Sequence, residues 1–271
     1  MIVGSYVEVD GVRIAYESAG AGQPVVLVHT AGMDSTQWRY VLPELAVAGY
    51  RGIAVDLPGH GKSEVPPTGP VTSAREYADF IARFAEALSE RSIVICGCSV
   101  GGDIALATAA AHPDLVRATV ACECSDTTKL FPSILLKMGS ESAGAPGWND
   151  MFSMNSIASV GTKIPQERLF QLEWAHRRAS RDIANGDLVA WNEFDIRADA
   201  CKIHCPTLIV YGESDYFVSR ERVLRTVGSI RGARLVQIPA VGHYPMVEDP
   251  GFGSLLVRSL GEMLTQAMSV I

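Results

Sequence analysis

The sequence predicts an α/β fold: a mostly parallel, eight-stranded sheet flanked by helices and interrupted by a helical insertion. Three observations lead there. Short apolar, β-branched runs alternate with segments of helical spacing; the runs stop at polar residues followed by Gly- or Pro-bearing loops; and the alternation lapses once, between Asp126 and His204, before it resumes. A chain of 271 residues with 48% hydrophobic and 20% charged residues has enough apolar material for one large unit or two small domains.

The elements follow in order. Tyr6 to Val9 and Val12 to Glu17 flank Asp10-Gly11, a two-residue hairpin signal. Pro24 to His29 and Gly52 to Asp56 are near-continuous apolar runs, as expected of parallel strands buried on both faces. Between Ser73 and Leu88 the residues Tyr77, Phe80, Ile81, Phe84, Ala85 and Leu88 fall at helical spacing behind a capping box, Ser73-x-x-Glu76. Ser92 to Cys96 reads as a strand, Val100 to Ala111 as a helix and Leu115 to Cys122 as a strand. The interruption carries helical stretches such as Glu167 to Ile183. Strands then return at Pro206 to Tyr211 and Ala233 to Ile238, before a last helix with Phe252, Leu255, Leu256, Leu260, Met263 and Leu264.

Composition narrows the function. Lys plus Arg is 23 against 30 Asp plus Glu, a net charge of −7, which argues against an electrostatic hold on nucleic acid or anionic lipid and leaves a small molecule as the expected partner. The opening residues lack a basic region followed by an apolar one, and no apolar run approaches the ~18 residues of a membrane span, so a cytoplasmic protein is expected. Cys96, Cys98, Cys122, Cys124, Cys201 and Cys205 are expected as free thiols, because the two C-x-C pairs overlap apolar strand-like runs where small buried thiols are common.

The strongest chemical signal is Gly97-Cys98-Ser99-Val100-Gly101, a G-x-S-x-G between an apolar strand and a helix. A sharp turn there would leave no room for side chains at Gly97 and Gly101 and would lift the Ser99 hydroxyl to the helix N-terminus. A serine hydroxyl is a poor nucleophile near neutral pH. It needs a neutral imidazole to take its proton and a carboxylate to fix that imidazole's tautomer. His243, in a Gly-His loop after the last strand, suits the base; His112 looks like a helix terminus, His60 belongs to a turn, His176 lies in the insertion, and His29 is better placed to brace a loop.

These motifs occur in a telling order: His29-Thr30-Ala31-Gly32 after the third strand, Asp56-Leu-Pro-Gly-His-Gly-Lys-Ser63 after the fourth, then Ser99, then Tyr211-Gly-Glu-Ser-Asp215 and Gly242-His243. In that order the chain resembles an α/β-hydrolase over essentially its whole length. The resemblance implies a core of residues 1–125 and 204–271, a helical cap of residues 126–203, and an oxyanion hole from the backbone amides of Ala31 and Val100. It places the triad acid at Asp215, after the seventh strand. Glu123, ending the sixth, coincides in spacing with the acid of zearalenone lactonase-like hydrolases. Adjacent strand tips are about 4.8 Å apart, so both could reach one imidazole, and Asp215 is preferred because only one acid is needed.

The insertion carries Trp148, Trp174 and Trp191 with Met138, Met151 and Met154, able to form an adaptable apolar wall, although packing onto the core is the plainer role for most of them. Met33 and Tyr216 are better candidates for lining a pocket. A serine hydrolase acting on a largely apolar ester or lactone is therefore expected. The alternatives are a carbon–carbon bond hydrolase with the same triad and a ligand receptor on the same fold. This chemistry needs no metal or organic cofactor; a homodimer stays open.

Overall fold

The computed structural model describes residues 1–129 and 147–268. Its eight strands are β1 (Val3–Val9), β2 (Val12–Gly20), β3 (Gln23–Val28), β4 (Tyr50–Val55), β5 (Ile93–Cys98), β6 (Val116–Cys122), β7 (Thr207–Gly212) and β8 (Arg234–Ile238), in the spatial order β1-β2-β4-β3-β5-β6-β7-β8. β2 runs antiparallel to β1 and β4, and all other pairs are parallel. Asp10 and Gly11 close the β1–β2 hairpin at φ of 52° and 75°, the twist that a two-residue connection requires.

Helices cover both faces. α2 (Ala74–Ala87) and α3 (Val100–Ala111) bury Tyr77, Ile81, Phe84, Ile104 and Leu106 against one side of the sheet; α1 (Leu42–Val47) and α9 (Phe252–Met268) bury Leu42, Leu45, Phe252 and Leu256 against the other. The α2 cap forms as its sequence suggests, with Ser73 accepting from the amides of Arg75 and Glu76. α7 (Arg220–Ser229) and α8 (Pro245–Glu248) flank β8.

Between β6 and β7 the chain leaves the sheet for α4 (Trp148–Ala158), α5 (Gln166–Arg177) and α6 (Arg181–Asn192). Its two arms are bridged where they meet the sheet: Thr127 pairs antiparallel with Asp195, and Ile196 N donates to Asp126 O at 2.8 Å. The single helical stretch expected from Glu167 to Ile183 is two helices. Ser180 is extended, and the side-chain amide of Asn149 donates to the carbonyls of Arg177 and Ala179 at 3.0 Å, satisfying groups that a continuous helix would have used.

The insertion is fastened by buried polar contacts. His176 Nδ1–H donates to Leu172 O at 3.0 Å, while Nε2 accepts from the Tyr244 hydroxyl at 3.3 Å. Burial holds the His176 imidazole down at about 4, so the folded protein keeps it neutral. Protonation in the unfolded chain begins near 6.5, so this histidine withdraws stability as pH falls from there towards 4, on the order of 3 kcal/mol in all. In urea unfolding between pH 7 and pH 4.5, His176→Gln is expected to lose stability less steeply than the unmodified protein; equal slopes would contradict this account.

Candidate active site

At the end of β5 the backbone turns sharply into α3, and Ser99 sits on the turn at φ 57°, ψ −124°. A Cβ on Gly97 would fall 1.9 Å from Gly101 O, and one on Gly101 would fall 2.4 Å from Val28 O. Only glycine permits this crossing. The strain falls on Ser99, a non-glycine residue at positive φ, and presents its side chain at the N-terminus of a 12-residue helix. The hydroxyl makes no hydrogen bond to a protein group among the described residues.

Ser99 and His243 line one cavity of about 230 Å³. The His243 ring is edge-on to Phe217 at 4.9 Å and to Tyr244 at 5.3 Å. Its Nδ1–H donates to Asp215 Oδ2 at 2.9 Å, which leaves Nε2 as the basic nitrogen. The loop that carries it is held by Glu248, whose carboxylate accepts from the amides of Gly161 and Gly242 at 2.7 Å and of Tyr244 at 2.8 Å. Cys98 Sγ–H adds a contact to His243 O at 3.3 Å.

The two candidate acids take different positions. Asp215 is fully buried at its side chain and also accepts from Phe217 N at 2.7 Å. Burial alone would raise its carboxyl, but the His243 imidazole and the hydrogen bonds from His243, Glu123 and Phe217 N hold it below the ordinary aspartate value. Among the described residues Glu123 makes no hydrogen bond or ion pair with His243. Its Oε1 accepts from Gly212 N at 2.7 Å, and its Oε2 has no amide or alcohol donor but lies against the Asp215 carboxyl. Burial, reinforced by the charge on Asp215, pushes Glu123 well above the usual carboxylate range. That direction favours the protonated form, which would donate to Asp215.

The loop after β3 is held from several sides. His29 Nδ1–H donates to Thr30 O at 2.8 Å, and its Nε2 accepts from Leu57 N at 3.1 Å; burial and the neighbouring His60 depress its pKa to about 4 and keep it neutral. Thr30 N and Oγ1 both donate to Gln37 Oε1, at 2.9 and 3.1 Å. Among the described residues, the amides of Ala31 and Val100 have no protein hydrogen-bond acceptor.

Of the apolar residues singled out by sequence, Trp191 and Tyr216 line the Ser99 cavity. Three others do not. Met33 is buried beneath a separate groove with Arg39, Phe170 and Trp174; Trp174 itself is half exposed on that outer groove; and Trp148 stacks on Phe152 at 4.8 Å, a layer behind the cavity. Met151 and Met154 are exposed to solvent, and Met138 lies outside the described residues. The cavity is lined instead by Phe152, Asn155, Ser156, Leu188, Phe217 and Tyr244. Phe217 and Tyr244 were within reach of sequence reasoning, each lying within two residues of a triad candidate. The α4 residues carried no such signal. The six cysteines are free. No helix among the described residues is long and apolar enough to cross a membrane.

Comparison with known proteins agrees with this architecture. The chain is 26% identical over 253 residues to a pimeloyl-[acyl-carrier protein] methyl ester esterase of Aeromonas hydrophila, covering 88% of this chain and 94% of that protein. It is 29% identical over 266 residues to a 2-hydroxy-6-oxo-6-(2'-aminophenyl)hexa-2,4-dienoic acid hydrolase of Metapseudomonas resinovorans, covering 90% and 86%. Its fold superposes on the enol-lactonase of Burkholderia xenovorans with a TM-score of 0.83 at 20% identity, covering 96% and 100% of the two chains. Residues 25–252 match the family model described as alpha/beta hydrolase, and the chain, with its eight-stranded sheet, belongs to that family.

Proposed function

We propose that the protein is a serine hydrolase that cleaves an ester or lactone of a small to medium, largely apolar substrate through an acyl-enzyme. One observation carries this reading: His243, hydrogen-bonded to Asp215 at 2.9 Å, lines the same cavity as a serine held on a strained turn. In the proposed reaction Ser99 Oγ attacks the carbonyl carbon as His243 Nε2 takes its proton, and Asp215 stabilises the imidazolium. The carbonyl oxygen, now an anion, is bound by the amides of Ala31 and Val100. His243 returns the proton to the leaving alcohol. Water, activated by the same imidazole, then releases the acid and regenerates Ser99.

The insertion acts in this reading as a cap over a core formed by the two flanking segments, since α4 and α6 supply Phe152, Asn155, Ser156, Leu188 and Trp191 to the cavity. These are aromatic, aliphatic or neutral polar side chains. A substrate such as the dienoic acid in the Metapseudomonas enzyme's name carries a carboxylate, for which a cationic partner is the usual recognition. The described cavity lining contains no Lys or Arg. Among the described residues, the lining matches a neutral ester or lactone.

A fluorophosphonate probe is expected to label Ser99, as read by mass spectrometry, and Ser99→Ala to abolish labelling. Folded protein that takes no label would remove the hydrolase reading and favour a ligand receptor. With p-nitrophenyl esters of increasing chain length, lactones and a vinylogous diketone as substrates, turnover is expected with short esters or lactones and absent with the diketone. Asp215→Asn is expected to lower kcat by about 10²- to 10⁴-fold through loss of imidazole orientation, and Glu123→Gln by less than about tenfold, since glutamine keeps a donor towards Asp215. The reverse ranking would move the acid to Glu123.

A further inference from the structure

We infer that Asp187, carried by α6 of the insertion, is a positioning residue for the oxyanion loop, so that the anion-binding site is complete only while the insertion is seated on the core. The inference rests on the proposed role of the Ala31 amide. Asp187 is fully buried, and donors from three separate parts of the core converge on its carboxylate. Gly32 N donates to Oδ2 at 2.9 Å, His60 Nε2–H donates to the same oxygen at 2.7 Å, and the Tyr77 hydroxyl donates to Oδ1 at 2.7 Å. His60 Nδ1–H is also spent, on Pro58 O at 3.2 Å, so both ring nitrogens donate and the histidine is a cation. Burial alone would lower its pKa, but Asp187 raises it, and His60 in turn holds Asp187 down.

The consequence for Ala31 follows from the planarity of peptide groups. Thr30 O is fixed by His29 Nδ1–H at 2.8 Å and Met33 N at 3.1 Å, and across a trans peptide the Ala31 N–H must point the opposite way. The next peptide, between Ala31 and Gly32, is fixed by the Gly32 N–H on Asp187. With both planes held, the direction of the Ala31 N–H is set, and Ala31 lines the Ser99 cavity. The loop is pressed into the insertion at the same point: Gly32 has φ of 66°, and a Cβ on it would lie 2.7 Å from the Phe152 ring and 3.1 Å from Ala184. The neighbouring loop is gripped likewise, since a Cβ on Gly59 would lie 2.6 Å from Ile183. Core contacts therefore hold one side of the oxyanion loop, and α4 and α6 hold the other.

An oxyanion exists in the tetrahedral intermediate and not in the bound ester, so disturbing its donors should lower kcat and spare KM. The test uses the full chain, with concentration of active sites set by fluorophosphonate titration to completion. Asp187→Asn is expected to lower kcat per titrated site about 100-fold with KM changed less than about threefold. It should weaken by a similar factor a trifluoromethyl ketone that forms a hemiketal on Ser99. Asp187→Glu, which keeps the charge but displaces the carboxylate by one methylene, is the second variant should the first fail to fold, and is expected to lower kcat in the same way. Tyr77→Phe removes only the contact to Oδ1 and is expected to lower the melting temperature while kcat per site holds. A purely structural anchor would give variants of reduced melting temperature with normal kcat per site and normal ketone affinity, which would overturn the inference. A wild-type protein that neither labels at Ser99 nor hydrolyses any ester would overturn the hydrolase reading and this inference with it; a reactive wild type with equally reactive Asp187 variants would overturn this inference alone.

Discussion

The crossing of β5, α3 and β3 admits nothing larger than backbone, and the rest of the molecule is arranged around that exclusion. Gly97 and Gly101 meet at a distance that any side chain would forbid, and Gly101 also lies against the end of β3. Because the helix starts so close to the strand, Ser99 is forced into left-handed backbone geometry and out of the sheet. The same closeness brings the start of α3 against the end of β3 and the first residue of the loop that follows it, since a Cβ on Gly101 would lie 2.4 Å from Val28 O and 2.6 Å from His29 O. Non-glycine strain of this kind is stable only when its surroundings over-determine it. Here they do so through β5, which is buried throughout, and the largely buried parallel strands on both sides of it.

A second constraint is electrostatic. β6 and β7 are neighbours, so the residues that follow them bring two buried acidic side chains together. Two carboxylates there cannot both be ionised at low cost. The electrostatics resolve this asymmetrically: the His243 imidazole and the hydrogen bonds that Asp215 accepts hold Asp215 low despite its burial, while burial and the charge on Asp215 push Glu123 well above the usual carboxylate range. Glu123 thus has a place that does not compete with Asp215 for the imidazole.

Most of the core was legible in the sequence because its signals are local. Near-continuous apolar runs mark strands buried on both faces, Ser73 with Glu76 marks a helix start, and glycines spaced about a serine mark the turn. The departures all involve information that local pattern does not hold. Met33 is apolar and adjacent to the oxyanion loop, yet the chain turns between Ala31 and Met33 and delivers it to the far side. In α4 and α6 the hydrophobic pattern is too weak to separate a face towards the core from one towards a cavity, so nothing in it sets Phe152, Asn155 and Ser156 apart from Trp148. Gln37, Asp187 and Glu248 do their work across 7, 155 and up to 87 positions of sequence. A buried polar side chain whose partners are backbone amides elsewhere leaves no periodicity and no motif.

The antiparallel bridge between Thr127 and Asp195 sits where the chain leaves the sheet and returns to it. β6 can pair with β7 only after the whole excursion has been made, and the loop bearing His243 follows later still. During synthesis, therefore, the strand–turn–helix unit with Ser99 emerges well before α6, Asp215 and His243. In the proposed reaction, then, the nucleophile gains its base only once the chain beyond β8 has been made and docked.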